Sequence, residues 1–222
     1  MELDIKICGL KSEEAVAAAL EGGASHVGFI FFDRSPRHVT VETARRLRRA
    51  AVGRALAVAV TVDADDETLS RIVGEMQPDM LQLHGQESPE RAAALRARFA
   101  LPVMKALAVR EKKDLEAVAA YRGVCDRLLL DAKPPPGAVL PGGNGIPFDW
   151  RLLAFLDDDV DYMLSGGLNA ANIAAALRAC RPRGIDVSSG VERAPGDKDP
   201  QMIRAFFHAV RGVAGARPEE TA

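Results

Sequence analysis

Residues 4–31 read DIKICGLKSEEAVAAALEGGASHVGFIF, and this stretch contains one complete strand–helix–strand unit. Polar and apolar residues alternate as far as Cys8, which is typical of a strand. Ser12 then caps a predicted helix, and the Gly22-Gly23 pair ends it. The following run HVGFIFF is apolar throughout, as in a strand that is buried on both faces. A helix between two such segments predicts two parallel strands joined by a crossover.

The same unit recurs to the end of the chain, with eight predicted strands and eight predicted helices in strict alternation. The later strands are predicted at ALAVAVTV, DMLQLHG, PVMKALAV, DRLLLDA, DYMLSGG and GIDVSSG. Eight units in 222 residues predict a single eight-stranded parallel (β/α)8 TIM barrel. An open doubly wound sheet is the alternative, but the turn CGLKS lacks the GxGxxG string usual after its first strand. We expect the barrel domain over residues 1–212 and a flexible C-terminal tail over residues 213–222.

The amino-acid composition of the chain argues against several classes of protein. The chain is 48% hydrophobic and 27% charged, which suits one globular domain, and its net charge of -2 indicates no nucleic-acid footprint. Three distant cysteines and unpaired histidines predict neither a disulfide framework nor a metal site. No signal peptide precedes strand one, and no segment approaches the roughly 18 apolar residues of a membrane span. We therefore expect a cytoplasmic protein with no membrane partner.

In a (β/α)8 barrel the active site lies at the C-terminal ends of the strands. The loops LSGGLN and DVSSGVE follow strands seven and eight, where this fold usually binds phosphate. Their glycines and small hydroxyl residues leave backbone N–H groups accessible to an anion. We predict a phosphate site there, with ordinary tight turns as the alternative; its residues are Gly166, Gly167, Ser188, Ser189 and Gly190.

Two reactive side chains end other strands. Asp131 follows three leucines and precedes a long loop, so that desolvation can prepare it as an acid; a helix cap or salt bridge is the alternative. Cys8 ends strand one, where a thiolate with a lowered pKa can remove a proton from carbon; an inert buried cysteine is the alternative. Cys125 and Cys180 lie away from strand ends and are interpreted as structural.

Three further candidates are polar. Arg37 lies in the loop after strand two and can bind a substrate carboxylate bidentately, although a surface arginine fits the spacing equally well. His84 ends strand four, where a hydrogen-bonded structural histidine is the alternative. Asp186 lies near the end of strand eight.

In order along the chain, these residues lie in strings that resemble the phosphoribosylanthranilate isomerase family of tryptophan biosynthesis. The strings are KICGL at 6–10, GFIFFDRSPRHV at 28–39, LQLHG at 81–85, LLLDAKPPPG at 128–137, PGGNGIPFDW at 141–150, LSGGLN at 164–169 and GIDVSSGVE at 184–192. Together they cover nearly the whole chain. One departure is the string GGNG before FDW, where many members carry a lysine.

The resemblance implies an Amadori rearrangement of N-(5-phosphoribosyl)anthranilate to 1-(2-carboxyphenylamino)-1-deoxyribulose 5-phosphate. It implies Asp131 as general acid, Cys8 as general base and Arg37 as the group that binds the anthranilate carboxylate. Asp186 is expected to contact the sugar or order its loop, and His84 to face the substrate. Such an aldose–ketose shift needs no cofactor.

Three alternatives stay open from the residues alone. The first is another phosphosugar isomerase or epimerase on the same barrel, and the second is a catalytically silent barrel that only binds phosphorylated ligands. The third is a bifunctional isomerase that also accepts an aminoimidazole substrate, for which a carboxylate in place of Cys8 would be expected. The chain is expected to be a monomer or a homodimer.

Overall fold

Eight parallel strands pair in sequence order and close into a barrel, because β1 pairs with both β2 and β8. The computed structural model describes residues 3–134, 137, 142–143, 145, 147–157 and 159–214. The strands are β1 Asp4–Cys8, β2 His26–Phe31, β3 Leu56–Thr61, β4 Met80–Leu83, β5 Val103–Val109, β6 Arg127–Ala132, β7 Tyr162–Leu164 and β8 Gly184–Val187. This topology confirms the predicted single (β/α)8 barrel.

Helices connect successive strands and surround the barrel. They are α1 Glu13–Gly22, α2 Val41–Arg48, α3 Asp66–Met76, α4 Pro89–Phe99, α5 Ala117–Tyr121, α6 Ile173–Ala179 and α7 Pro200–Ala214. Ser12 caps α1 by accepting a hydrogen bond from the Ala15 N–H, as its position in the sequence predicts. The segment predicted as the sixth helix is instead a short 3₁₀ helix, Trp150–Phe155, and a second 3₁₀ helix, Lys112–Glu116, precedes α5.

The end of the chain differs slightly from the prediction. Helix α7 continues to Ala214, two residues past the predicted domain boundary at 212. The rest of the predicted tail, residues 215–222, lies outside the described residues, as do parts of the KPPPG and PGGNG strings. Among the described residues, no helix is long and apolar enough to span a lipid bilayer.

Side chains on the two faces of the strands form two separate hydrophobic clusters. Ile7 packs in the large cluster between the strands and the helices. Its neighbour Cys8 points to the barrel interior and joins a second cluster with Met104, Leu129 and Met163. Because side chains of a strand alternate between its faces, every second residue of each strand lines the interior. Residues at the C-terminal end of that interior face are therefore placed to form a site.

A short hairpin that the sequence analysis missed follows β8. A 3₁₀ turn at Ser189–Val191 leads into β9 Glu192–Ala194, which pairs antiparallel with β10 Asp197–Lys198 before α7 begins. Strands of two or three residues lack the apolar alternation from which longer strands are predicted. The hairpin therefore had no periodic signal, although it carries two charged residues of the site described below.

The N-terminal end of the barrel is closed by charged groups. Arg127 of β6 reaches Asp4 of β1 at 2.6 Å and Asp161 at 2.9 Å. His26 is buried nearby, and its Nδ1 lies 2.8 Å from the Ser25 hydroxyl. Burial lowers the pKa of His26 to about 4, with the Arg127 and Lys6 charges adding to the effect and Asp4 opposing it. The native protein thus keeps this imidazole neutral.

We predict that His26 makes the protein less stable in mild acid. The pKa of His26 in the native state, about 4, lies below its ordinary value of 6.5. The unfolded chain therefore takes up the proton first, and about 3 kcal/mol of stability present above pH 6.5 is lost as the pH falls to 4. Urea unfolding of the wild type and His26→Asn across this range measures the difference. The exposed His208→Asn is the control, and equal pH slopes for wild type and His26→Asn would contradict the prediction.

Candidate active site

A cavity opens at the C-terminal ends of the strands, and its empty space, including the mouth, is about 660 Å³. Nine of the ten residues predicted for the site line this cavity. They are Cys8, Arg37, His84, Asp131, Gly166, Gly167, Asp186, Ser188 and Ser189. Gly190 is not among the lining residues, and its position is described with the loops below. Residues separated by up to 181 positions are thus brought to one opening.

Cys8 shares the barrel interior with Lys6, which lies two residues earlier on the same face of β1. Gly28 on the neighbouring strand leaves them space, since a Cβ there would lie 3.1 Å from Cys8 Sγ and 3.2 Å from Lys6 Cε. Burial raises the pKa of the Cys8 thiol, and the nearby Asp186 carboxylate adds to this. The Lys6 ammonium, through its charge and a hydrogen bond, and the Lys198 charge lower it. Burial prevails, so the net effect of these surroundings is to raise the pKa of the Cys8 thiol.

Lys6 also forms a buried ion pair with Asp186. The distance from Lys6 Nζ to Asp186 Oδ1 is 2.8 Å, and the Ser165 hydroxyl donates to Asp186 Oδ2 at 3.1 Å. Burial acts to lower the pKa of Lys6, but Asp186 and Cys8 outweigh it and raise the pKa to about 12. Lys6 is therefore a permanent cation beside the thiol. The sequence analysis assigned it no role, although the alternation in IKIC places Lys6 and Cys8 on one face.

Asp131 is joined to β4 through His84. His84 Nε2 lies 3.3 Å from Asp131 Oδ2, and His84 Nδ1 lies 2.9 Å from Gln82 Nε2. When the Gln82 amide donates to Nδ1, the ring proton is on Nε2 and points to Asp131. The other carboxyl oxygen accepts from the Ala132 N–H at 2.9 Å. His84 thus orients the Asp131 carboxyl as well as lining the cavity.

Arg37 is buried, with 4% of its surface exposed, so it is not the surface arginine that the spacing allowed. Glu192 of β9 accepts from Arg37 Nε and from Nη2, both at 2.8 Å. The Glu192 carboxylate also pairs with Lys198 of β10. The second N–H of Nη2 donates to the Gly143 carbonyl, so Nη1 is the nitrogen that these contacts leave for a ligand. Neither Glu192 nor Lys198 was predicted for the site, although GVE ends one of the matching strings.

The two predicted phosphate loops meet at the cavity. Gly166 and Gly167 have φ values of +89° and +65°, which side-chain-bearing residues rarely adopt. The Asn172 side chain donates to the Gly167 carbonyl at 2.8 Å and fixes this loop. After β8, the 3₁₀ turn Ser189–Val191 begins at the cavity, and the first N–H groups of such a turn lack partners within it.

Gly190 joins the two loops rather than lining the cavity. A Cβ at Gly190 would lie 1.9 Å from the carbonyl oxygen of Leu168, which belongs to the loop after β7. The backbones of the two loops can touch only because this position has no side chain. No three His, Cys, Asp or Glu side chains of the described segments group closely enough to hold a metal ion.

Comparison with known proteins gives a consistent result. Residues 5–209 match the family model described as N-(5'phosphoribosyl)anthranilate (PRA) isomerase. The N-(5'-phosphoribosyl)anthranilate isomerase of Chelativorans sp. (strain BNC1) is 72% identical over 217 residues, covering 98% of this chain and 100% of that protein. The isomerase of Brucella canis is 66% identical over 218 residues, covering 98% of each chain.

Solved structures agree with these matches. The phosphoribosyl anthranilate isomerase of Thermotoga maritima superposes with a TM-score of 0.86 at 34% identity, covering 95% of this chain and 100% of that one. A phosphoribosyl anthranilate isomerase in complex with reduced 1-(o-carboxyphenylamino)-1-deoxyribulose 5-phosphate gives a TM-score of 0.83 at 33% identity, with the same coverage. The chain belongs to the N-(5'-phosphoribosyl)anthranilate isomerase family.

Proposed function

We propose that this chain converts N-(5-phosphoribosyl)anthranilate to 1-(2-carboxyphenylamino)-1-deoxyribulose 5-phosphate in tryptophan biosynthesis. The observation that carries the proposal is the convergence on one cavity of a carboxyl, a thiol, a buried arginine and two glycine loops. An aldose–ketose isomerisation of an anionic phosphosugar needs an acid, a base and cationic or N–H groups for the anions. The family membership of the chain supports the same reaction.

Asp131 is proposed as the general acid. It gives its proton to the ring oxygen of the ribose, the bond between that oxygen and C1 breaks, and the nitrogen lone pair forms the C=N bond of an iminium. The strand LLLD delivers this carboxyl to the cavity with only 5% of the residue exposed. His84 at 3.3 Å limits its orientation, so that one face of the carboxyl is presented to substrate.

Cys8 is proposed as the general base. Its thiolate removes the proton from C2 of the iminium, the electron pair forms the C1–C2 double bond, and the resulting enolamine tautomerises to the ketone. Lys6 is the cation that favours the thiolate against the cost of burial. A proton moves from one carbon and returns to its neighbour, so the scheme uses no redox cofactor.

Arg37 is proposed to bind the anthranilate carboxylate, and the backbone around Gly166, Gly167, Ser188 and Ser189 to bind the phosphate. Two roles were expected for Asp186, a sugar contact or the ordering of its loop; because Lys6 and Ser165 engage its carboxylate, we propose the ordering role. A solved relative from Thermotoga maritima is described as dimeric; this chain is proposed to be a monomer or a homodimer.

We expect Cys8→Ala and Asp131→Asn each to lower kcat by a factor of about 10²–10⁴ while the fold is retained, because each removes one proton transfer. The assay follows the loss of fluorescence of phosphoribosylanthranilate generated in place. Cys125→Ala, away from the cavity, is the control and keeps full activity. Full activity in Cys8→Ala would refute its role as base. A folded wild type that consumes no substrate would instead favour another phosphosugar reaction or a silent barrel.

The pH dependence of kcat/KM is expected to follow the Cys8 thiol. Because burial raises its pKa and only the thiolate is a base, activity increases with pH above neutrality. Lys6→Met removes a favourable charge and moves this rise to higher pH, whereas Asp186→Asn removes an unfavourable charge and moves it to lower pH. Thiolate absorbance in a Cys125→Ala/Cys180→Ala background measures the same titration without turnover. Shifts of the same sign in both variants would contradict this assignment.

Gly190→Ala is expected to weaken binding of ribose 5-phosphate about tenfold, or about 1.4 kcal/mol, because the new Cβ forces apart the two phosphate loops. Titration calorimetry measures the change. Gly74→Ala, in the last turn of α3, is the matched control, since a Cβ there meets no atom within 4 Å. Unchanged affinity in a folded Gly190→Ala protein would show that the contact between the loops does not shape the phosphate site.

A further inference from the structure

The β9–β10 hairpin presents two buried charged side chains to Arg37. The side chains of Glu192 and Lys198 are 3% and 2% exposed, and that of Arg37 is 4% exposed. The proposed proton transfers use neither hairpin residue. Three charged side chains are therefore buried side by side. This arrangement needs an explanation, because burying a charge is costly unless it is paired.

The contacts fix the plane of the Arg37 guanidinium. Glu192 accepts from Nε and Nη2 at 2.8 Å each, which is the bidentate geometry of an arginine–carboxylate pair. Nη2 also lies 3.3 Å from the Gly143 carbonyl oxygen, to which it donates. Among the described residues, no hydrogen bond uses the two Nη1 donors. Both N–H groups of Nη2 are thus engaged, and Nη1 is the part of this arginine left for a ligand in the cavity.

Close backbone contacts hold the same arginine in place. A Cβ at Gly9 would lie 2.8 Å from Arg37 Cδ, and one at Gly143 would lie 2.6 Å from Nη1. The hairpin turn packs on Pro36, the residue before Arg37, since a Cβ at Gly196 would lie 2.3 Å from the Pro36 carbonyl oxygen. The hairpin, the loop after β2 and the loop after β1 therefore meet around one side chain.

Lys198 sets the net charge of the cluster that it forms with Arg37 and Glu192. Its Nζ has three acceptors, which are the Glu192 carboxylate and the carbonyl and hydroxyl oxygens of Ser188 at 3.2 Å each. Three acceptors match the three N–H donors of an ammonium ion. Burial lowers the pKa of Lys198, and Glu192 opposes this. With Lys198 protonated, the two cations and one carboxylate sum to +1, whereas Arg37 and Glu192 alone would be neutral.

We propose that Glu192 and Lys198 are positioning residues that make the site selective for a carboxylate on the substrate's aryl ring. Glu192 fixes the guanidinium plane so that Nη1 of Arg37 is left for the ligand, and Lys198 offsets the charge of Glu192 so that the three charged groups together still attract an anion. The inference rests on the proposed function, because it concerns the carboxylate of that substrate.

The test compares two stable ligands by titration calorimetry. One is reduced 1-(2-carboxyphenylamino)-1-deoxyribulose 5-phosphate, and the other is the same compound without the carboxylate. The ratio of their Kd values is the carboxylate preference, and it does not depend on turnover. We expect a preference of about 100-fold in the wild type, as for a buried, charge-assisted hydrogen bond from Nη1, and none in Arg37→Ala.

Glu192→Gln and Lys198→Met are expected to reduce this preference about tenfold or more. In Glu192→Gln the Kd for the ligand without the carboxylate changes less than about twofold. Lys198→Met also removes contacts to Ser188 of the phosphate loop, so for this variant the ratio of the two Kd values is the readout. Glu192→Gln makes the cluster of Arg37, Glu192 and Lys198 more positive. If Glu192 acted only through its charge, this variant would strengthen the carboxylate preference, and that result would overturn the orienting role. Glu192→Asp keeps the charge but shortens the side chain, and it too is expected to lower the preference. Adding Glu192→Gln to Arg37→Ala should have no further effect on it.

Asp197→Asn is the matched control, because it breaks an exposed pair with Arg193 on the same hairpin and should leave both affinities unchanged. Equal weakening of both ligands in folded Glu192→Gln and Lys198→Met proteins would show that the hairpin is only structural and would overturn the inference. A wild type that binds neither ligand would refute the proposed function itself. A wild type that binds both without preference would refute carboxylate recognition alone.

Discussion

The pairing of β1 with β8 is the constraint on which the rest of the molecule depends. It closes the barrel, and its register sets Lys6 directly beside Asp186. Their charges, both buried, are stable there only because they are paired. Any slip by one residue would turn Lys6 toward the helices and Ile7 into the interior. The same closure brings the Ser188 hydroxyl to the Cys8 carbonyl at 3.1 Å, so the proposed base and the phosphate loop share one contact.

Buried charged side chains lie at both ends of the barrel, but they have different roles at the two ends. At the N-terminal end, Arg127 pairs with Asp4 and Asp161 and closes the interior. At the C-terminal end, the ion pairs Lys6–Asp186 and Arg37–Glu192, together with the neighbouring side chains of His84 and Asp131, surround an open cavity. Apolar residues such as Met104 and Leu129 separate the two ends. This division lets one end hold the barrel together while the other keeps polar groups accessible to a ligand.

The proposed chemistry depends on side chains that act through their neighbours. A buried thiol is a poor base unless a cation lies beside it, and Lys6 supplies that cation. A buried arginine whose partner is a carboxylate has no net charge to offer, and Lys198 restores it. In both cases the residue proposed to contact substrate depends on a charged neighbour, which lies on the same strand for Cys8 and on the hairpin for Arg37. The site is therefore an arrangement of paired charges rather than a set of independent groups.

The sequence by itself determined the eight strands, seven of the eight predicted helices and the strand ends at which the candidate residues lie, because apolar periodicity and strand termination are local properties. Cys8, Asp131 and the two glycine loops were predictable on that basis. Only the tertiary structure decided which group each charged side chain contacts. The pairing of Arg37 with Glu192, 155 residues apart, follows from how the hairpin packs on the loop after β2. The raised pKa of Cys8 likewise results from burial among distant strands, which no local pattern records.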